Sequence, residues 1–233
     1  MSYYRPSTGA WGRATLYLII ANIVFFAFRL FMQVATIKWL SLIPVRVIFR
    51  FEIWRFVTYL FIHGDFWHLF FNMLGLFFFG PALERTLGYR RFWIFYFLCG
   101  CGSGAVAVLF YFLLGEGSAI IIGASGAIFG ILAGYGLLFP NSTIYLNFIL
   151  PIKAKYMVLI YGALELFATI QYAGGGRSGI ASIAHISGMI IAYFYIRGGA
   201  DFRKLKFRYK YWLAERERKR YLKIYPGDKD RLH

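Results

Sequence analysis

Six times along this chain an apolar run recurs at roughly the 20 residues that an α-helix needs to cross the hydrocarbon core of a bilayer. The runs cover residues 14–32, 66–83, 92–114, 124–139, 156–172 and 179–196. Inside lipid every backbone N–H and C=O must find a partner, so segments of this kind fold as helices. Composition agrees, because 60% of residues are hydrophobic, 21% aromatic and only 15% charged, too little charge for a surface that faces water. The expected fold is an all-α membrane protein, a six-helix bundle with neither an internal repeat nor a soluble domain. No small-residue cleavage site follows the first run, which reads as a retained span and not a removed signal peptide. The chain divides into a cytoplasmic N-terminus at 1–13, a six-span domain at 14–197 and a basic cytoplasmic tail at 198–233.

The formal charge of +16 raises the question of nucleic acid, but half of the 26 basic residues follow Tyr195. A cluster there suits anionic lipid headgroups, with 209–222 as an amphipathic interfacial helix, and nucleic acid is not an expected partner. Basic residues in the short loops favour both termini in the cytoplasm. The first loop, 33–65, is too long for a turn and too apolar to float in water. The mix Ile53-Trp54-Arg55-Phe56-Val57-Thr58-Tyr59-Leu60 suits a segment lying in the membrane interface beside the bundle. Cys99 and Cys101 point to different sides of a helix and do not pair. Oligomeric state is left open.

The fourth run is short and central. About 16 residues before Pro140 give roughly 24 Å at 1.5 Å per residue, less than the roughly 30 Å hydrocarbon core. Gly126, Gly130 and Gly134 line one face and invite close approach of neighbouring backbones. Ser125 opens this helix, several ångströms below the outer surface. In the sixth run Ala181, His185, Gly188 and Ala192 share one face by three-and-four spacing, and His185 lies about six residues, roughly 9 Å, into its helix. Two helices with small contact faces can bring that imidazole to the Ser125 hydroxyl, the minimal activated nucleophile. The sequence places no carboxylate near His185, so the expectation is a dyad. At the head of the second run, His68 and Asn72 are four apart and face the same way; their N–H groups, with the Ser125 amide, can hold a developing oxyanion. His63 and His68, five apart, form a poor metal pair, and neither a metal nor a cofactor is expected. Proton or ion transport stays open as a rival, because ionisable residues inside a membrane mark pathways.

Taken together, these residues resemble the rhomboid intramembrane serine proteases. The resemblance runs from Trp54 to about Ala192. It includes the Trp54-Arg55 pair in a long first loop, His63, His68 and Asn72, Glu84 near the end of the second span, Gly123-Ala124-Ser125-Gly126, and Ala184-His185-x-x-Gly188. It implies a rhomboid-like bundle in which Ser125 is the nucleophile and His185 the base. His68, Asn72 and the Ser125 amide are implied as oxyanion donors, with Phe129 against the imidazole where some relatives have Tyr. Ala192 departs from the family by replacing the second glycine of a Gly-x-x-x-Gly. The implied activity is an intramembrane serine endopeptidase acting on single-span membrane proteins near the outer ends of their helices, with no cofactor. A non-proteolytic rhomboid-like binder of membrane helices is the alternative.

Three charged residues in apolar runs need a place. Arg29 is expected to snorkel to the interface. Glu165 is expected inside the bundle, as a bonded protonated carboxyl or a gating group. Glu84 with Arg85 is expected to organise the inner loop. Substrate entry is expected past the fifth span or first loop, with Gly174-Gly175-Gly176 as hinge. The short chain inclines towards a prokaryotic cell membrane.

Overall fold

In the computed structural model, residues 12–146, 150–173, 181–198, 209 and 211–216 are described. Helices occupy all six apolar runs: α1 (Arg13–Phe31), α5 (Phe66–Leu87), α6 (Tyr89–Leu113), α7 (Ser125–Leu138), α8 (Ala154–Ala173) and α9 (Ser182–Gly198). Among the described residues, α1, α5 and α6 are each long and apolar enough to cross a membrane, which makes this a multi-pass membrane protein. At 14 residues, α7 is only about 21 Å long. Its Gly126, Ala127, Ile128, Gly130, Ile131, Ala133, Gly134 and Gly136 are buried, so the shortest of these six helices forms the centre and α5, α6, α8 and α9 pack around it. Rings and branched chains on the outer faces, such as Phe71, Leu109, Phe167 and Phe194, stay exposed, as lipid contact requires.

Glu84 does not organise the inner loop. Its buried carboxylate reaches the start of α1, where Oε1 accepts from the Ala14 N–H at 3.0 Å. Oε2 accepts from the Thr15 N–H at 2.9 Å and the Thr15 hydroxyl at 2.8 Å. The first N–H groups of a helix lack partners within it and favour an anion, so this charge on α5 supplies the cap that Gly12, with no side chain, does not. The inner turn rests instead on Gly88, the single residue between α5 and α6, whose φ of 87° suits glycine.

The first loop folds into α2 (Gln33–Leu40), α3 (Pro44–Arg50), α4 (Arg55–Thr58) and a 3₁₀ turn at Tyr59–Phe61. Arg55 is fully buried and ties these pieces together. Its Nε lies 2.5 Å from Glu52 Oε2, Nη2 donates to Lys38 O at 2.7 Å, and Nη1 donates to Ser41 O. Burial alone would raise the Glu52 carboxyl, but Arg55 and then Arg46 outweigh it and hold the group below its ordinary value. Phe49, Phe51, Ile53 and Trp54 face outward, in keeping with an interfacial segment. The loop also grips the chain before α7: Leu42 and Ile121 exchange two backbone hydrogen bonds, each 2.9 Å, and Tyr59 O accepts from Gly123 N at 2.9 Å.

Two further expectations change. The chain is not wholly helical, because Thr143–Leu146 pairs antiparallel with Leu150–Lys153 between α7 and α8. Arg29 does not snorkel: it is 8% exposed and its Nε has no hydrogen-bond partner. Its charge sits within electrostatic reach of His63. In the tail, 211–216 is helical; the Tyr209 ring lies 4.3 Å from that of Phe139 and Arg85 sits 5.1 Å over Trp212. The rest of the expected 209–222 helix, and the Gly174-Gly175-Gly176 hinge, lie outside the described residues.

Replacing Glu84 by Ala strips three hydrogen bonds from the start of α1, and the expected cost is roughly 1–3 kcal/mol. Thermal unfolding in detergent should show a midpoint lowered by several degrees; an unchanged midpoint would mean that water caps α1 equally well.

Candidate active site

Ser125 is the first residue of α7, preceded by Ala124 at φ −74° and ψ −1°. Its N–H, in the first turn, has no acceptor within the helix. Among the described residues its hydroxyl makes no hydrogen bond. Gly123, two residues earlier, is constrained twice. Its φ is 109°, and a Cβ there would come within 2.6 Å of His68 Nε2. Only glycine lets the imidazole of α5 lie directly over the backbone that leads into the serine.

His68 is held in one orientation. Asp65 caps α5 by accepting from the His68 N–H at 2.9 Å. The Gly64 N–H donates to His68 Nδ1 at 3.4 Å, a long contact that nonetheless assigns the neutral ring's proton to Nε2, the atom over Gly123. Asn72, one turn on, spends one N–H on His68 O at 2.9 Å, and the other remains for an acceptor in the site. His63 packs edge-on against His68, with ring centroids 5.0 Å apart at 72°. It is fully buried and both ring nitrogens lack hydrogen-bond partners. Burial, and then the neighbouring His68, push the His63 imidazole down to about 3, so it stays neutral.

The second half of the site comes from α9. A Cβ on Gly126 would sit 3.3 Å from Ala184 O, one on Gly130 3.2 Å from Gly188 O, and one on Gly188 would collide with the Gly126 carbonyl. With both backbones in contact, the His185 imidazole stacks flat on Phe129, with centroids 4.2 Å apart and planes 5° from parallel. Phe129 lies one turn below Ser125 on the same face of α7, so hydroxyl and imidazole belong to one interface. The two are not hydrogen-bonded here, and neither His185 nitrogen has a hydrogen-bond partner.

The expectation that no carboxylate stands near His185 is overturned. Glu165, midway along α8, places Oε1 3.0 Å from His185 Nδ1. That distance is ion-pair range, yet the oxygen lies off the ring N–H direction, so the contact falls short of a hydrogen bond. Glu165 was marked in the sequence by its position in an apolar run; the pairing of α8 with α9 that gives it an address was not. Trp54, Arg55 and Glu84 lie elsewhere. Trp54 Nε1 donates to Trp39 O at 3.2 Å, and Arg55 and Glu84 serve the scaffold. A cavity of about 400 Å³ bordered by Gln33, Lys38, Arg46 and Ile120 includes neither Ser125 nor His185. No cluster suited to a metal ion occurs among the described residues.

Comparison with known proteins now bears on this geometry. A family model described as Rhomboid domain matches residues 50–200. The chain is 34% identical over 143 residues to RHOMBOID-like protein 4 of Arabidopsis thaliana, covering 61% of this chain and 33% of that protein. It is 40% identical over 95 residues to a Bacillus subtilis protein described as "Putative rhomboid protease YdcA", covering 40% of this chain and 46% of that one. It is also 33% identical over 138 residues to the mitochondrial Rhomboid protein 1 of Saccharomyces cerevisiae, covering 58% and 38%. The chain thus spans between a third and a half of the length of these relatives.

His63 generates a pH prediction. Its folded value, about 3, lies below the ordinary 6.5, so the unfolded chain takes up the proton first. Stability is whole above about pH 6.5 and drains away as pH falls, by up to about 1.4 kcal/mol per unit. Equilibrium unfolding between pH 7.5 and 5 should show this slope, and His63→Leu should flatten it; an identical slope in the variant would assign the effect to other groups.

Proposed function

The chain belongs to the rhomboid family, and from that premise we propose that it is an intramembrane serine endopeptidase. The observation that carries the reading is the backbone contact of α7 with α9, which sets Ser125 and His185 on one interface with Phe129 stacked on the imidazole. In this reading α1, α5, α6, α7, α8 and α9 are the six spans, and both termini face the cytoplasm of a prokaryotic cell membrane.

Ser125 Oγ attacks the scissile carbonyl while His185 Nε2 takes its proton. The negative charge that develops on the carbonyl oxygen is met by His68 Nε2–H, the free Asn72 N–H and the Ser125 backbone N–H, donors already oriented by the Gly64 and His68 contacts. The imidazolium then gives its proton to the leaving amine, and water, activated by the same base, frees the acyl group from Ser125. The substrate class is a single-span membrane protein. A helix must unwind before its carbonyl can be attacked, so small or helix-breaking residues near the scissile bond favour cleavage. Entry past α8 is the proposed route.

The missing hydrogen bond between Ser125 and His185 favours a second reading, a non-proteolytic binder of membrane helices. One experiment separates the two. Purified protein is exposed to a fluorophosphonate and to a fluorogenic transmembrane substrate. The protease reading expects label on Ser125, lost in Ser125→Ala and His185→Ala, and cleavage at background in both. It further expects His68→Ala to lower kcat on the order of 10²–10³-fold with KM little changed. A folded protein that takes no label and leaves the substrate whole is a binder.

A further inference from the structure

Asp65 serves the site by capping α5 beneath His68, but Glu165 stands against His185 and the proposed serine–histidine chemistry makes no use of it. It and His185 are 18% and 13% exposed, with Oε1 and Nδ1 3.0 Å apart. The Ser182 hydroxyl at the start of α9 is close enough to interact with the same carboxylate. Few other charges approach His185. From α5 comes His68. Near His185, α7 presents Gly126, Phe129 and Gly130 to α9, with Ser103 and Cys99 of α6 against those glycines, and from α8 Tyr161 packs on the edge of Phe129. The nearest charge on α9 itself is Arg197, more than three turns away. Glu165 is therefore the only formal negative charge that the described residues bring to the imidazole.

A carboxylate in the middle of an apolar helix is costly unless a partner offsets it, and here the partner is the proposed general base. The flat stack on Phe129, 5° from parallel, leaves the imidazole one soft motion, rotation in its own plane. A small rotation in that plane turns Nδ1–H onto Oε1.

We propose that Glu165 is a positioning residue of the active site. It holds His185 in the tautomer with Nδ1–H towards α8 and Nε2 free towards Ser125, and it stabilises the imidazolium formed when Ser125 gives up its proton. The proposal rests on the protease reading. It changes the expected dyad into a relay of Ser125, His185 and Glu165 drawn from α7, α9 and α8. No proton passes to Glu165: the proton leaves Ser125 Oγ, rests on Nε2 and goes to the leaving amine, while the carboxylate keeps its charge throughout. Because Glu165 rides on α8, the seating of α8 against α9 becomes a condition for an oriented base.

The test uses the full chain in proteoliposomes and two variants, Glu165→Leu and Glu165→Gln. Leucine suits a lipid-spanning helix better than glutamate, so a purely structural role predicts unchanged or improved behaviour. The positioning role predicts that Glu165→Leu lowers kcat roughly tenfold to a hundredfold, with KM within about twofold. Phosphonylation of Ser125 by a fluorophosphonate should slow by the same factor, while the thermal midpoint is kept or raised. Glu165→Gln, which retains an acceptor for Nδ1–H but no charge, should fall between wild type and Glu165→Leu. Wild-type kcat and labelling rate in Glu165→Leu overturn the proposal. If that variant fails to fold, the near-isosteric Glu165→Gln decides, and an unchanged kcat there overturns it equally. A wild-type protein that takes no label removes the protease reading and the relay together, a result distinct from a labelled wild type with indifferent variants.

Discussion

The carbonyl oxygen of Gly126 stands where a side chain on residue 188 would go. Lipid tails are as apolar as the side chains they bathe, so helices in a bilayer gain little from hydrophobic burial and associate through close van der Waals fit. The contact between α7 and α9 is that fit at its limit, glycine on glycine, with Gly130 against Gly188 O one turn along. Widen it by a methyl group and the imidazole of His185 lifts off the face of Phe129, the ring on which it is stacked. Serine and histidine are far apart in the chain; what relates them in space is the absence of side chains at a few positions.

The serine itself is placed from the other side. The two hydrogen bonds between Leu42 and Ile121, and that from Gly123 to Tyr59 O, fix the irregular chain before α7 against the first loop. That loop keeps its shape because Arg55, buried with Glu52, closes on the carbonyls of Lys38 and Ser41. A buried charge of this kind adds little net stability while intact, but removing Arg55 leaves Glu52 with only the longer 3.4 Å contact to Arg46. Arg55 therefore acts on the site at a distance, through Tyr59 and Gly123, and the histidine face of α5 meets the same glycine through His68.

How much of this was legible in the chain depends on whether the information is carried within one helix or between two. The apolar runs placed six helices with ends within a few residues, because length and hydropathy are properties of a single segment. Ser125, His68, Asn72 and His185 stood out because polar groups on small or apolar faces are rare. Charges were harder. Arg29 read as a snorkelling chain and is buried instead, while Glu84 and Glu165 needed partners that lay on other helices: the start of α1 for Glu84, His185 for Glu165. A stripe of small residues says that a helix is approached closely, not by which neighbour. The paired strands Thr143–Leu146 and Leu150–Lys153 escape the sequence because they are four residues each and sit beside longer apolar runs.

Buried donors and acceptors without partners cost about 1–3 kcal/mol each, and folded chains keep few of them. Among the described residues, four such side-chain atoms belong to His63 and His185 and another is Nε of Arg29, whose charge reaches His63, while Asn22 Oδ1 and the Tyr96 hydroxyl lie elsewhere in the bundle. Those of the two histidines and Arg29 lie where α1 ends and α5 and α9 begin. The inner end contrasts with this, because Glu84 is bonded to three donors at once. A base whose nitrogens were already committed would have to break a bond before accepting a proton, and that cost would fall on the reaction. An imidazole held by stacking alone, with a carboxylate near but not yet aligned, carries the cost in the stability of the fold instead.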